Sequence, residues 1–216
     1  MQVRPLRKEE IPLIVSYFFS ASPEFLKGMG ADPNKLPNKQ EWAQSIENEI
    51  DLPVEEKKLF YLLWIHNHKP IRHSNLTFLE YGKEASMHLH LWNPSARKKG
   101  LGLLFLNQCI LYYFEWFKLK TLICEPYAYN QAPNAILPEL GFTKVKTYTT
   151  TPGSINFEQV VNRWELKGKT FKKEIKKTCR SRFFYVYVEE NLFRPFGYRS
   201  FIQCNVICIT SFSSQC

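Results

Sequence analysis

A short basic segment that contains two glycines, Arg97-Lys98-Lys99-Gly100-Leu101-Gly102, has the residue types and spacing most suggestive of chemistry in this chain. It follows a predicted strand and leads directly into a predicted helix. The glycines let the backbone approach a ligand closely, and the N–H groups in the first turn of a helix favour an anion. Three consecutive basic side chains add counter-charge for a di-anionic group such as a pyrophosphate. The segment predicts a phosphate-binding loop; the alternative is a solvated basic turn that caps the helix.

This loop matches neither of two common phosphate-binding motifs. No Gly-Lys-Ser/Thr follows it, which excludes a Walker loop. The Gly-x-Gly-x-x-Gly pattern with a downstream acidic residue, which marks a dinucleotide site, is also missing. The chemistry therefore has to be inferred from the surrounding elements.

Two histidines precede the loop in the predicted strand 85–92. His88 and His90 alternate with apolar residues, so they share one face of the strand. An imidazole with its ordinary pKa of about 6.5 can accept a proton near neutral pH. The alternative is that one or both are core histidines satisfied by hydrogen bonds.

The six cysteines follow no CxxC pattern. Cys109 and Cys124 fall inside apolar runs, where a buried thiol behaves as a small hydrophobic group. Cys204 and Cys208 have no histidine pair nearby. We predict no metal site and no disulfide.

The positive charge of the chain is concentrated at its end. The 216 residues carry 29 Lys+Arg and 20 Asp+Glu, a net charge of +9. Residues 1–166 account for +2 of this charge and residues 167–216 for +7. Beyond residue 166 the chain also loses its hydrophobic periodicity. We therefore predict a folded domain over 1–166. The C-terminal extension over 167–216 is basic, aromatic and Cys-rich, and we predict that it is disordered or poorly packed.

The extension leaves two interpretations open. Its basic run could bind nucleic acid, but such runs are often solvated faces and no base-reading motif accompanies this one, so we do not expect nucleic-acid binding. The extension could also be an unselected segment, translated from an altered frame.

No segment predicts a membrane or a secretory role. Residues 1–10 have no apolar run behind their basic residues, and no stretch reaches the roughly 20 apolar residues of a spanning helix. A soluble, cytoplasmic protein with no membrane partner is expected.

The elements that must position these residues follow from hydrophobic periodicity and turn residues. The order is a strand, several helices, three strands, a helix, a strand, a helix and two strands. Their predicted ranges are 2–6, 8–20, broken helices over 23–50, 59–65, 71–79, 85–92, 102–117, 121–124, 133–140, 142–150 and 155–166. Consecutive strands can pair antiparallel, whereas strands separated by a helix usually run parallel. We therefore predict an α/β fold with a mixed, mostly antiparallel sheet of about seven strands flanked by helices.

In this context the motifs resemble those of the GNAT superfamily of acetyl-CoA-dependent N-acetyltransferases. The resemblance rests on Arg97-x-x-Gly100-x-Gly102 between a strand and a helix, followed by a strand, Asn130, a short helix and Gly141-Phe142. The spacing of Asn130 and Gly141-Phe142 is similar to that of the ribosomal-protein-alanine acetyltransferase branch. The resemblance covers residues 1–166 and implies an acyltransferase.

The resemblance also implies roles for the residues of the predicted site. Residues 97–102, Arg97, Lys98, Lys99, Gly100, Leu101 and Gly102, would bind the pyrophosphate of acetyl-CoA, the co-substrate. The strand end from His90 to Trp92, which includes Leu91, would pair with the pantetheine arm, and Asn130 would contact that arm. The residues themselves make His88 or His90 the candidate general base, with Glu80 and Glu84 as fallbacks that act through water.

The acceptor is expected to be an amine-bearing small molecule or a protein N-terminus, acetylated by direct attack in a ternary complex. One departure from the family pattern stands out: Leu137 occupies the position where many members have a tyrosine as general acid. A catalytically silent module that binds acyl-CoA or another protein is therefore the alternative. The oligomeric state is not predicted.

Overall fold

The computed structural model of the chain describes residues 2–91 and 101–171, and of Leu91 and Leu101 the backbone only. The strands are β1 (Gln2–Pro5), β2 (Phe60–His66), β3 (Lys69–Glu80), β4 (Glu84–Leu91), β5 (Thr121–Cys124), β6 (Thr143–Thr150) and β7 (Gln159–Lys167). The helices are α1 (Ile11–Phe19), α2 (Pro23–Gly28), α3 (Lys39–Asp51), α4 (Leu101–Trp116) and α5 (Gln131–Glu139), with short 3-10 helices at Lys8–Glu10 and Pro33–Lys35.

The seven described strands form one sheet in the order β1-β2-β3-β4-β5-β7-β6. Every neighbouring pair is antiparallel except β4 and β5, which run parallel because α4 carries the chain back between them. The predicted fold class, a mixed and mostly antiparallel sheet flanked by helices, is confirmed.

Two apolar layers cover the two faces of the sheet. Along β2, Leu62 belongs to the core on the α4 side and Leu63 to the core beneath α1 and α3, because successive strand residues point to opposite faces. On the α4 side, Trp64 stacks on Phe105 with ring centroids 5.0 Å apart. On the other side, Ile14 of α1 is fully buried. The apolar run that predicted a buried helix over 102–117 corresponds to α4.

The prediction of a strand over 155–158 is wrong, because β7 begins only at Gln159. The backbone of this segment bonds to the chain after α2 instead of to β6. The N–H of Asp32 donates to the carbonyl of Ile155 at 2.8 Å, and Ala31 pairs with Asn156 in an isolated bridge. A local pattern cannot reveal such a partner, which lies more than a hundred residues away in sequence.

Gly30 is the centre of this contact between the α2 segment and the β6–β7 loop. Its carbonyl accepts hydrogen bonds from Asn156 Nδ2 at 2.7 Å and from Gln159 Nε2 at 2.8 Å. Its φ of +86° lies in the left-handed region, and a Cβ at this position would lie 2.2 Å from Gln159 Oε1. Glycine is therefore required here both by conformation and by space.

We expect Gly30→Ala to lower the free energy of unfolding by about 1–3 kcal/mol, because alanine is strained at positive φ and displaces the Gln159 amide. Gly28→Ala is the matched control: no atom lies within 4 Å of its added methyl group. Urea unfolding of both variants measures the difference. Equal stabilities for the two variants would contradict the role assigned to Gly30.

Packed structure continues slightly past the end of β7. The N–H of Gly168 donates to the carbonyl of Lys120 at 3.0 Å, and the buried Phe171 ring lies 5.6 Å from that of Phe114. The predicted domain boundary after residue 166 stays a prediction, and residues 172–216 of the predicted extension lie outside the described residues. Within the described ranges, no helix combines the length and apolar character needed to cross a membrane.

Candidate functional site

The sheet opens between β4 and β5. These strands pair over only three positions, from Glu84 opposite Thr121 to Ser86 opposite Ile123. Beyond Ser86, β4 stays with β3, whereas β5 follows β7 until it ends. The β5 side of β4 from Met87 onward therefore has no paired strand among the described residues. An extended ligand can pair with the backbone of such an edge.

The N-terminus of α4 lies at this open end of β4. A Cβ placed on Gly102 would lie 3.8 Å from a guanidinium nitrogen of Arg72 and equally far from Ile136 of α5. Arg72 is in turn paired across the sheet with Leu91, the last residue of β4. The strand end and the helix start, which the sequence predicts to share one ligand, are thus brought together.

Arg72 was not predicted as a site residue. Its side chain is largely buried, and its guanidinium carbon lies 5.5 Å above the ring of Trp64. The N-terminus of a helix carries partial positive charge, so Arg72 adds to a positive field at the start of α4. This placement follows from β3–β4 pairing and not from the sequence nearby, since Arg72 lies 25 residues before the loop begins at Arg97.

The loop itself falls outside the described residues. Trp92, Arg97, Lys98, Lys99 and Gly100 all belong to residues 92–100, so their predicted contacts stay predictions. Of the predicted loop, the structure describes Gly102 and the backbone of Leu101, both in the first turn of α4.

Asn130 stands at the N-terminus of α5, where its side chain makes no capping hydrogen bond to the helix. Its carbonyl accepts a hydrogen bond from Asn134 Nδ2 at 2.8 Å, and the same amide group donates to the carbonyl of Tyr127 at 3.0 Å. Asn134 Oδ1 accepts from Asn162 Nδ2 at 2.8 Å and from Trp164 Nε1 at 3.1 Å. Asn134, which the sequence analysis missed, thus fixes the β5–α5 connection that presents Asn130.

The two predicted histidines belong to a row of three imidazoles. His90 and His73 are directly opposite each other in β4 and β3, and their rings stack with centroids 4.5 Å apart and planes inclined by 16°. The ring of His88 lies 6.5 Å from that of His90. His88 Nε2 shares a hydrogen bond of 2.7 Å with Thr77 Oγ1.

Aromatic side chains of α1 cover this row. The rings of Tyr17 and Phe18 approach His90 edge-on, with centroid distances of 5.5 and 5.2 Å. Nδ1 of His90 is buried and has no hydrogen-bond partner among the described residues. His90 Nδ1 is therefore available to hydrogen-bond with a group that enters the site beneath the aromatic side chains.

Burial lowers the pKa of these histidines far below the ordinary value. The pKa of His88 falls to about 4 and that of His90 to about 3, chiefly by desolvation. For His73, desolvation together with repulsion from His90 and His88 lowers the pKa well below its usual range. All three rings are uncharged at neutral pH, a result that the ordinary pKa used in the sequence analysis did not anticipate.

Glu125 is a second residue that sequence analysis missed. It follows β5 directly, and its carboxylate accepts hydrogen bonds from Tyr148 Oη at 2.6 Å and from Arg163 at 3.0 Å. Its negative charge acts on His88, where it raises the pKa against the larger effect of burial. The sequence does contain one signal for Glu125: it lies just past the carboxyl end of a predicted strand. Ligand clefts often form at that end of a parallel strand.

Glu84, the predicted fallback base, is not brought together with the histidines. It is the first residue of β4 and pairs with Thr121 and Glu80, at the end of the strand away from the opening. With a rise of about 3.3 Å per strand residue, roughly 20 Å of strand separates it from His90. The structure thus places Arg72 and Gly102 beside Leu91 at the end of β4, and His88 and His90 beneath α1 on the opposite face of the same strand, whereas Glu84 lies at the far end of β4.

No group of three or more His, Cys, Asp or Glu side chains is arranged to hold a metal ion within residues 2–91 and 101–171. The expected absence of a metal site stays a prediction for the whole chain. The chemistry inferred below uses only protein groups and the co-substrate.

The lowered pKa values of the half-buried His88 and His90 predict a pH-dependent stability. Below about pH 6.5 the unfolded chain binds protons that neutral His88 and His90 do not, so stability is complete above that pH and falls as the pH drops toward 4. We expect a loss of about 2 kcal/mol per histidine between about pH 7.5 and 5. Urea unfolding at both pH values measures it.

Substitution identifies the source of this pH dependence. His88→Gln and His90→Gln should each flatten the fall in stability, whereas His68→Asn in the exposed β2–β3 turn should leave it unchanged. Three variants with the same pH dependence as the unaltered protein would rule out His88 and His90 as its cause.

Comparison with known proteins yields matches only among solved structures, since no family model and no curated protein matches the chain. Spermidine N-acetyltransferase from Vibrio cholerae in complex with CoA and spermine is 15% identical, with a TM-score of 0.65 over 79% of this chain and 97% of that chain. A phenylalanine-to-alanine mutant of the same enzyme is 14% identical, with a TM-score of 0.63 over 81% and 99%. The ribosomal L7/L12 alpha-N-protein acetyltransferase in complex with coenzyme A is 15% identical, with a TM-score of 0.61 over 76% and 92%.

These similarities concern the fold. All three structures are nearly fully covered by this chain, and at these identities they show that it has the fold of the GNAT N-acetyltransferases. The structural expectation drawn from the sequence motifs is thereby confirmed.

Proposed function

We propose that this protein is an N-acetyltransferase that transfers the acetyl group of acetyl-CoA to a primary amine by direct attack in a ternary complex. The observation that carries the proposal is the opening between β4 and β5 beside the N-terminus of α4. The structural relatives bind coenzyme A and are named for acetylation of spermidine or of a ribosomal protein. A cytoplasmic site of action belongs to the same proposal.

The backbone edge of β4 is proposed to hold the extended arm of acetyl-CoA. The carbonyl of Met87 already accepts the thiol of Cys124 at 3.2 Å, so the peptide groups of 88–91 that face the β5 side are the ones proposed to form the hydrogen bonds that a neighbouring strand would make. Asn130, whose side chain does not cap α5, is proposed to contact the same arm. Acetyl-CoA supplies an activated acyl group, and these residues orient it toward the histidine row.

The start of α4 is proposed to hold the phosphates. Its first-turn N–H groups and helix dipole favour an anion, and Arg72 adds a cation near Gly102. Arg97, Lys98, Lys99 and Gly100 are proposed to complete this site, as the sequence motif predicts. Positive charge is thus concentrated at one end of the open edge.

His88 and His90 are proposed to move the proton that the attacking amine loses. Since their pKa values are about 4 and 3, they remain neutral and act as proton acceptors that pass the proton on rather than store it. Thr77 orients His88, and the charge of Glu125 favours the protonated ring. Imidazole rings held this way can relay a proton without themselves being charged at rest.

A tyrosine acid is absent at the expected position. Leu137 is fully buried in the core, while Tyr127 and Tyr129 lie on the other side of Asn130 along the chain. The proposal therefore assigns no general acid to the leaving thiolate. The same feature supports the second candidate, a catalytically silent module that binds acyl-CoA or another protein.

Binding and turnover separate the two candidates. Acetyl-CoA affinity is measured by calorimetry, and free-thiol release is followed with a panel of amines. Thiol release above the amine-free rate supports the enzyme. Binding of acetyl-CoA with no turnover on any amine would refute the transferase proposal and favour the silent module.

Gly100→Glu places a carboxylate where the phosphates are proposed to bind, so we expect at least a tenfold loss of acetyl-CoA affinity, about 1.4 kcal/mol. Gln40→Glu makes the same change of charge on the exposed side of α3 and should leave the affinity unchanged. Circular dichroism checks that both variants stay folded. Wild-type affinity in Gly100→Glu would contradict the loop assignment.

A second substitution tests the histidines. The double variant His88→Gln and His90→Gln should lower kcat by at least about tenfold, because general-base assistance commonly contributes 10² or more. Its affinity for acetyl-CoA should change by less than about twofold, since neither ring is assigned a binding contact. A loss confined to affinity would remove both residues from the proton pathway.

A further inference from the structure

An apolar surface extends from the histidine row toward α2. The ring of Tyr17, which meets His90 edge-on, also meets that of Phe25 at a centroid distance of 6.2 Å. The hydroxyl of Tyr17 lies 3.1 Å from the sulfur of Met29. Tyr17, Phe25 and Met29 are each half-buried, and we call these three side chains the apolar patch. Part of the patch remains accessible within ring contact of the proposed proton acceptor.

The β6–β7 loop continues this apolar character. Ile155 packs in the same cluster as Met29, and the hydrogen bonds to Gly30 hold the loop against the end of α2. Phe157, further along the loop, meets the ring of Tyr127 at 5.8 Å. Both loop side chains are also half-buried. The surface that continues from Tyr17 through the α2 segment to the loop is therefore apolar on both sides.

The carboxylates nearest this surface are paired, engaged in helix capping or exposed to solvent. Glu125 is paired with Arg163 and bonded to Tyr148. Asp32 Oδ1 accepts the backbone N–H of Asn34, where it caps the 3-10 helix. Glu24 lies exposed in the first turn of α2. Glu125, whose charge reaches His88, is thus compensated by Arg163, and the histidine rings themselves are neutral, so neither offers a free negative charge beside the row.

These observations constrain the acceptor, because an amine enters with the group to which it is attached. A polyamine carries further ammonium groups beyond the one that reacts, and a buried charge without a partner is strongly unfavourable. An apolar or aromatic substituent gains from burial against aromatic rings and a thioether sulfur. The surface thus discriminates between two classes of amine.

We infer that the acceptor is a primary amine that carries an apolar or aromatic group close to the nitrogen, and that polyamines are poor acceptors. Such an amine is supplied by an arylalkylamine or by a peptide whose first residue is large and apolar. The apolar patch holds that group while the amine faces His90. This inference rests on the proposed acetyltransferase function and gives it a substrate class.

The test uses the full chain, acetyl-CoA and free-thiol release with four amines. These are 2-phenylethylamine, a tetrapeptide that begins with Phe, the same tetrapeptide beginning with Gly, and spermidine. We expect kcat/KM for the better of the two aromatic amines to exceed that for spermidine by at least tenfold, and the Phe peptide to exceed the Gly peptide. The faster aromatic amine identifies whether small molecules or peptides are the source.

Two variants connect the selectivity to the patch. Met29→Glu introduces a carboxylate and should reduce the preference for the aromatic amine over spermidine by at least tenfold. Val145→Glu makes a similar change at an exposed position of β6 and should leave the preference unaltered. Phe25→Ala, which adds no charge, should raise KM for 2-phenylethylamine without changing KM for spermidine.

The outcomes distinguish this inference from the function on which it rests. Turnover of spermidine that equals or exceeds that of the aromatic amines overturns the substrate class and leaves the transferase proposal intact. Binding of acetyl-CoA without turnover of any amine overturns both. An unchanged preference in Met29→Glu and Phe25→Ala, with both variants folded, removes the apolar patch from acceptor recognition.

Discussion

The end of the β4–β5 pairing after three positions is the constraint on which the site depends. β5 is only four residues long, and the chain beyond it is held by β7: Cys124 pairs with Trp164, and the carbonyl of Pro126 accepts the N–H of Asn162 at 3.1 Å. Among the described residues, β4 beyond Ser86 pairs only with β3. Because backbone polar groups require partners, the uncovered side of β4 is suited to an extended ligand rather than to close packing. The open edge proposed to bind the ligand and the start of α4 beside it are both positioned by this one separation of strands.

The same separation places two different electrostatic environments at the two sides of the strand end. The helix dipole of α4 and the cation of Arg72 make the side facing α4 positive. On the other face, aromatic burial removes the charge from three imidazoles and leaves an apolar patch beside them. Neither environment is visible in the net charge of +9, most of which belongs to residues 167–216. Local placement of charge, and not its total, indicates the ligand.

The elements that depend on local patterns were predictable, and the residues that depend on pairing were not. The alternation in β4 and the apolar run of α4 predicted the strand, the helix and the shared face of His88 and His90, because side-chain period is a property of each segment alone. Arg72 and Glu125 reach the site only through register with β4, which neither segment encodes by itself. The incorrect prediction of a strand over 155–158 has the same origin. The pattern of this segment is typical of a strand, but its backbone is hydrogen-bonded to the chain after α2, which the local sequence does not encode.

Burial of the histidines links the stability of the domain to its proposed chemistry. A ring that stacks on a second imidazole and lies under two aromatic side chains cannot hold a charge at low cost, so the folded state favours neutral His90. That preference weakens the ring as a base, yet it keeps an acceptor nitrogen unprotonated across the whole neutral range. The hydroxyl of Thr77 holds His88 in one orientation, and Glu125 supplies the negative charge that offsets a transient proton. A row of neutral rings ending near a carboxylate is therefore better suited to conduct a proton away from an amine than to hold it. The pH dependence of the reaction on the acidic side should then follow the pKa of the acceptor's ammonium group rather than the pKa of a histidine.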